Sequence, residues 1–208
     1  YSVLDNTQNE RPDWYEYWPI RKFLLNTEIN DSHYYGFFSP KFKEKTSLSY
    51  SQVEFFIQES HLDIDIFTFS PQPDMGAFFI NVFEQAEVFD PGFINAYEGL
   101  LEELQLPTGI RNLVMSTQET VFSNYFVAKP KFWREWLKIN EKLFEICESN
   151  LPSDLQSKCL AKTTYKQAER KVFLQERTAS YLLATQKHWK CKPYNPFGMG
   201  WSMTKFRD

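Results

Sequence analysis

The chain has 208 residues, 42% of them apolar and 24% charged, with a formal net charge of −4. A chain of that length buries enough surface to fold without disulfides or metal, and its composition excludes the disordered, collagen-like and low-complexity classes. It contains no apolar run of about eighteen residues, so no membrane-spanning helix is expected.

In chain order, residues 1–14 are polar and read as a loosely ordered segment. Their start is no secretory signal and lacks an initiator Met, which fits an excised domain or a processed chain. Tyr15–Leu25 reads as a short amphipathic helix around Trp18, Ile20, Phe23 and Leu24. The aromatic run Tyr34–Ser39 reads as a strand, and Gly36 inside it suggests a bulge or a close backbone approach. Pro40–Lys45 reads as a helical turn. Ser51-Gln52-Val53-Glu54 reads as a capping box that opens a helix to about Ser60. Leu62–Phe69 alternates and is rich in Ile and Phe, the pattern of a strand, and Ser70-Pro71-Gln72-Pro73-Asp74 stops it. Met75–Phe89 carries Phe78, Phe79, Val82 and Phe83 at helical spacing. Asp90-Pro91 reads as an N-cap followed by proline at the first helical position, with a helix to about Leu104. Leu113–Ser116 and Val121–Ala128 read as paired strands. Pro130 opens a long helix through about Glu148, 149–164 is a polar connection, and Tyr165–Gln186 is another long helix. Trp189–Tyr194 reads as a last strand, and 195–208 as an irregular tail holding Gly198-Met199-Gly200. Short strands alternating with longer helices predict one helix-rich α/β domain over 15–194, a compact sheet flanked by helices.

Two compositional features bear on function. Aromatic residues make up 18% of the chain, which supplies either a Phe-rich core or an aromatic-lined cleft for a base or sugar ring. Charge is divided unevenly, with a net of −12 over residues 1–128 and +8 over 129–208. That asymmetry either holds a phosphate-bearing ligand between the two regions or pairs solvated helix faces. No dense basic run or recognition motif points to nucleic acid. Cys147, Cys159 and Cys191 have no C-x-x-C spacing, which argues against a disulfide framework or a zinc site and suits a reducing compartment. His33, His61 and His188 are scattered, with no metalloprotease pattern. The absence of G-x-S-x-G, P-loop and G-x-G-x-x-G motifs removes support for the usual hydrolase, NTPase and dinucleotide-dehydrogenase classes.

Three groups of residues could carry chemistry. Asp63 and Asp65, two apart in the predicted strand, share a face and could hold Mn²⁺ or Mg²⁺ bridging a diphosphate, or could belong to a solvated face. Glu176 has Val172, Phe173, Ala179 and Leu183 at helical spacing, so it lies on or beside an apolar stripe. Desolvation there suits a general base, and an ion pair with Arg170 or Arg177 is the structural alternative. Arg170 and Arg177, seven apart, could reach a pyrophosphate. Asn124, a polar residue within an apolar strand just before Pro130, suits sugar hydroxyls or a strand-end backbone cap.

The ordered set YGFFSPKFKEKT (35–46), Asp63-Ile64-Asp65, NYFVAKPKFWREW (124–136) and RKVFLQER (170–177) resembles bacterial glycosyltransferase domains of capsular-polysaccharide and O-antigen clusters. The resemblance covers roughly residues 18–186 and implies a GT-A-like nucleotide-sugar fold. It places Asn124, Lys129, Glu176 and Arg177 at the active cleft, with Asp63 and Asp65 nearby; Tyr35 and Arg170 complete the expected substrate-binding residues. The expected activity is sugar transfer from a nucleotide-diphosphate donor to a glycan or lipid-linked glycan acceptor. The expected setting is the cytoplasm, with peripheral contact at the inner membrane through the basic C-terminal third. The rival expectations are a non-catalytic glycan- or protein-binding module and a metal-dependent phosphate-ester or nucleotide hydrolase using Asp63 and Asp65. Convergence of Asp63, Asp65, Asn124 and Glu176 on one cleft would discriminate the first rival from the transferase.

Overall fold

The computed structural model describes residues 2–60, 63–70, 75–164 and 167–195. Four short strands form one mixed sheet, β1 (Tyr35–Gly36), β2 (Ile66–Thr68), β3 (Phe126–Ala128) and β4 (Cys191–Pro193), in the order β1-β3-β2-β4. β3 runs antiparallel to both β1 and β2, with Ile66 opposite Ala128 and Thr68 opposite Phe126, and β4 runs parallel to β2. Alternate side chains go to opposite faces. Ile66, Phe126 and Ala128 enter the larger apolar cluster, while Phe67, Tyr125 and Val127 enter the smaller one. Both faces are therefore covered, and helices dominate a helix-rich α/β fold.

The smaller layer is built by α2 (Phe42–Thr46) and α3 (Tyr50–Gln58), through Phe42 and Val53. The larger layer is built by α1 (Tyr17–Asn26), α4 (Met75–Phe78), α5 (Val82–Phe89), α6 (Phe93–Glu103), α7 (Pro130–Glu148), α8 (Asp154–Leu160), α9 (Lys171–Glu176) and α10 (Thr178–Thr185). α7 has the predicted limits. Pro130 sits in its first turn, where a missing N–H costs nothing, and Phe132, Trp133, Trp136, Ile139, Leu143 and Cys147 bury one stripe. Gly36 is the predicted close approach: a Cβ there would lie 2.5 Å from Val127 Cγ2.

Several elements differ from the sequence expectation. The capping box is Ser49 with Gln52, two residues earlier than Ser51-Gln52-Val53-Glu54, and both reciprocal bonds are made. The expected helix Met75–Phe89 is broken at Asn81. Its Oδ1 accepts from Phe83 N–H and Glu84 N–H, while its Nδ2 donates to the carbonyls of Ile110, Arg111 and Leu113. That saturated side chain starts α5 and takes up a carbonyl of the expected strand Leu113–Ser116, which does not form. The N-cap of α6 is Gly92 at φ 94, not Asp90. Residues 149–164 contain α8, capped by Ser153. The long helix expected over Tyr165–Gln186 is α9 and α10, parted at Arg177, where the last turn tightens to a bond from Arg177 N–H to Leu174 O. The strands are shorter than expected. β3 is closed by Pro130 and preceded by a turn in which Ser123 (φ 61) and Asn124 (φ 53) are both left-handed. The ends at Leu62 and Tyr165, the stop over Pro71–Asp74, His61 and the tail beyond Asn195 lie outside the described residues.

Candidate functional site

The candidate residues fall into two groups at opposite ends of β3, separated by its three residues, about 10 Å of strand. Asn124 precedes the strand and Lys129 follows it.

At the Lys129 end, Asp63 and Asp65 precede β2 rather than lying in it. The N–H groups of Asp65 and Ile66 both donate to the Lys190 carbonyl, at 2.8 and 3.3 Å, so the alternation slips there. Ile64 consequently joins Phe67 and Phe69 in one cluster, an odd-numbered offset that a regular strand forbids. The two carboxylates also differ in environment. Asp65 is buried, and its Oδ1 meets Lys131 Nζ at 2.7 Å and Lys129 Nζ at 3.4 Å while its Oδ2 accepts the Lys190 N–H. Asp63 is exposed and pairs with Lys129 and Lys190. The Lys129 bond holds the Asp63 carboxyl below its usual range. Burial pushes Asp65 up, but Lys131, the Lys190 N–H and Lys129 outweigh it and the carboxyl stays low. This donor set does not fit Mn²⁺ or Mg²⁺: a cation would face three ammonium groups that already hold both carboxylates. Among the described residues no group of three or more His, Cys, Asp or Glu side chains is placed to ligate a metal.

Arg170 is occupied elsewhere. Its Nε and Nη2 form a bidentate pair with Asp90 at 2.6 and 2.8 Å, and two further donors reach the carbonyls of Pro91 and Lys158. The guanidinium, itself buried, ties the start of α6 to the end of α8 and commits four of its five N–H donors there. Tyr35 lies on the edge strand β1, where its OH accepts Asn30 N–H and its carbonyl accepts Trp133 Nε1–H. It faces Phe23 and is not part of either group.

At the Asn124 end, the sequence-predicted Asn124, Glu176 and Arg177 lie in one region with Gln175 and Lys45. Asn124 Nδ2 donates to Gln175 Oε1 at 2.8 Å, and Gln175 is anchored in turn on the Val172 carbonyl. Asn124 is buried, and its Oδ1 has no partner among the described residues, an arrangement that costs about 1–3 kcal/mol. Next to Gln175, Glu176 keeps 18% of its side chain exposed and meets Arg177 Nη1 at 3.3 Å. Desolvation pushes its carboxyl above the ordinary value; Arg177 and Lys45 pull it down and Glu16 pushes it up. Arg177 is buried, reaches Gln85 and the Val82 carbonyl, and lies 5.0 Å from the Phe122 ring. Lys45 Nζ donates to Ser123 Oγ at 3.0 Å above the Tyr125 ring, whose OH is pinned to Ser39 Oγ at 2.6 Å. The kink between α9 and α10 and the left-handed turn before β3 are what bring these groups together. Consecutive left-handed non-glycine residues are strained, and such strain gathers where groups are held for a ligand.

Sequence reasoning missed Glu16, Gln175 and Lys45. For Lys45 a signal existed: it is three residues from Phe42, hence on that residue's buried side of the turn, whereas Lys41 and Lys43 are exposed. Two large grooves lie elsewhere. One of about 830 Å³ is flanked by Arg21, Lys138, Glu141 and Phe144, the other of about 450 Å³ by Glu102, Asp154 and Lys158, and none of the predicted site residues lines either. No protein-family model, curated protein or solved structure matches this chain.

Proposed function

We propose that the chain is a glycosyltransferase that uses the Asn124–Glu176 cluster to move a sugar from a nucleotide-diphosphate donor to a surface-glycan acceptor. The observation that carries this is the Glu176 carboxyl, raised by desolvation on a side chain that keeps 18% of its surface exposed, next in sequence to Gln175, which holds the buried Asn124 whose Oδ1 has no partner among the described residues. A carboxylate of raised basicity can take the proton of an acceptor hydroxyl as that oxygen bonds to the anomeric carbon. The bond from that carbon to the diphosphate breaks, and the nucleotide diphosphate leaves with the electron pair. Asn124 offers an acceptor for a sugar hydroxyl. Arg177 holds Glu176 in place from the buried side. The GT-A-like fold, the capsular or O-antigen acceptor and the cytoplasmic setting rest on the sequence resemblance. No described helix is long and apolar enough to cross a membrane, and in this reading the peripheral inner-membrane contact is made by the basic C-terminal third.

Glu176→Gln should abolish turnover of a panel of nucleotide-diphosphate sugars, read as released nucleotide, while leaving nucleotide binding intact. In the wild type, kcat/KM should rise with pH through a midpoint above the ordinary 4.5. A midpoint at or below 4.5, or an active Glu176→Gln, refutes the role of Glu176. One observation favours a non-catalytic glycan-binding module instead: Asp63 and Asp65 do not join the Glu176 cluster and are held by lysines. That reading gains if glycans bind and no donor is turned over.

A further inference from the structure

If the Glu176 end of β3 is a nucleotide-sugar site, something must take the charge of the departing diphosphate, and the groups the sequence offers for this are occupied. Arg170 is buried and commits four of its five N–H donors to Asp90 and two carbonyls. Arg177 is buried against Glu176, Gln85 and the Val82 carbonyl. Lys129, Lys131 and Lys190 are held by Asp63 and Asp65 at the far end of the strand.

We propose that Lys45 is the diphosphate-binding residue of this site, and that the site takes phosphate-bearing donors without a metal. The proposal rests on the transferase reading for its substrate and on geometry for its residue. Among the described residues Lys45 has no carboxylate within ion-pair distance. An ammonium carries three N–H donors. One goes to Ser123 Oγ at 3.0 Å, and no other protein acceptor is found for the remaining two among the described residues. The side chain is not loose. Its nitrogen lies 5.6 Å from the centre of the Tyr125 ring, and that ring is fixed by the Ser39 bond and buried in the smaller cluster. Ser123, its hydrogen-bond acceptor, belongs to the same strained left-handed turn as Asn124, whose Oδ1 is buried with no partner among the described residues. A half-buried cation, held by one bond over an aromatic face and free at two donors, is pre-organised for a phosphate oxygen. Glu16, Glu44 and Glu176 act on the same region and oppose an anion, so pyrophosphate affinity there depends on Lys45.

The test is calorimetric titration of the whole chain with inorganic pyrophosphate in excess EDTA, alongside turnover of nucleotide-diphosphate sugars. A charge-assisted hydrogen bond is worth about 1.5–3 kcal/mol, so Lys45→Met should weaken pyrophosphate binding by roughly 10- to 100-fold. Lys45→Arg should hold it within about threefold, and Glu176→Gln should not weaken it. Melting curves establish that each variant is folded, and Lys45→Gln stands in for Lys45→Met if the latter is not. Absence of pyrophosphate binding to the wild type, binding unchanged in the folded neutral variant, or binding that EDTA abolishes each overturns the assignment. Pyrophosphate binding that needs Lys45, with no donor turned over, upholds the anion site and brings down the transferase reading alone.

Discussion

Arg170→Met separates a structural arginine from a phosphate-binding one. The Arg170 side chain is 8% exposed and its partner Asp90 14%. Truncation would strand the Asp90 carboxylate and free the Pro91 and Lys158 carbonyls. Removing one partner of a buried pair costs about 3–5 kcal/mol, much of it from the charge left behind. For a chain of this size 1 kcal/mol moves the melting temperature by about 2–4 °C, so a fall of roughly 6–20 °C is expected. Gly92 raises the stakes at this corner, since its φ is 94 and a Cβ there would sit 3.5 Å from the Arg170 guanidinium. The assay is thermal and urea unfolding of the wild type, Arg170→Met and Arg170→Met/Asp90→Asn. The double variant leaves no orphaned charge and should recover part of the loss. A melting temperature within about 2 °C of wild type, together with lost pyrophosphate affinity, would refute the clamp and restore Arg170 to the phosphate role that its sequence position suggests.

Other perturbations test the remaining assignments. Asp65→Asn should destabilise the chain by about 1–3 kcal/mol, since it removes the buried charge and its single remaining oxygen can accept from Lys131 or the Lys190 N–H but not both. Asp63→Asn, at an exposed pair, should leave the midpoint of urea unfolding near wild type, and neither change should alter pyrophosphate affinity. Burial raises the Asp13 carboxyl, but Arg11 and Lys171 overcome this and hold it at about 2, below its ordinary 3.8. Its depressed value means that its contribution is present above 3.8 and lost as pH falls through about 2, so Asp13→Asn should flatten the acid limb of a stability-against-pH curve over that window. A limb as steep as wild type would remove Asp13 from acid unfolding. All three cysteines should be slow toward a thiol reagent at pH 8 and react together on denaturation. Cys147 and Cys159 are buried, and burial pushes Cys191 up to about 12. A cysteine that reacts at once in the folded chain would contradict that packing.

Features with a local cause were legible. Proline in the first turn and an unbroken apolar stripe define α7, and Val172 and Phe173, one turn earlier in α9, put Glu176 beside apolar neighbours, where desolvation raises it. Gly36 announced a close approach because only a residue without a Cβ fits against Val127. Where a long polar side chain intervened, local pattern failed. Asn81 broke one apolar run by binding carbonyls about thirty residues on, and Gln175–Arg177 kinked another where the chain turns toward Asn124.

The amino-acid sequence by itself determined the helix-rich α/β class, the burial of α7 and the desolvated position of Glu176, because each follows from the spacing of apolar residues along a few turns. Only the tertiary structure decided which candidates meet. Asp63 and Asp65 are claimed by lysines, one of them 66 residues away, Arg170 by an aspartate 80 residues away, and Asn124 by a glutamine 51 residues away. Periodicity states that a side chain is taken from water, but the partner that then satisfies it comes from across the fold, as where the antiparallel pairing of β2 with β3 brings Asp63 and Asp65 to the Lys129 end.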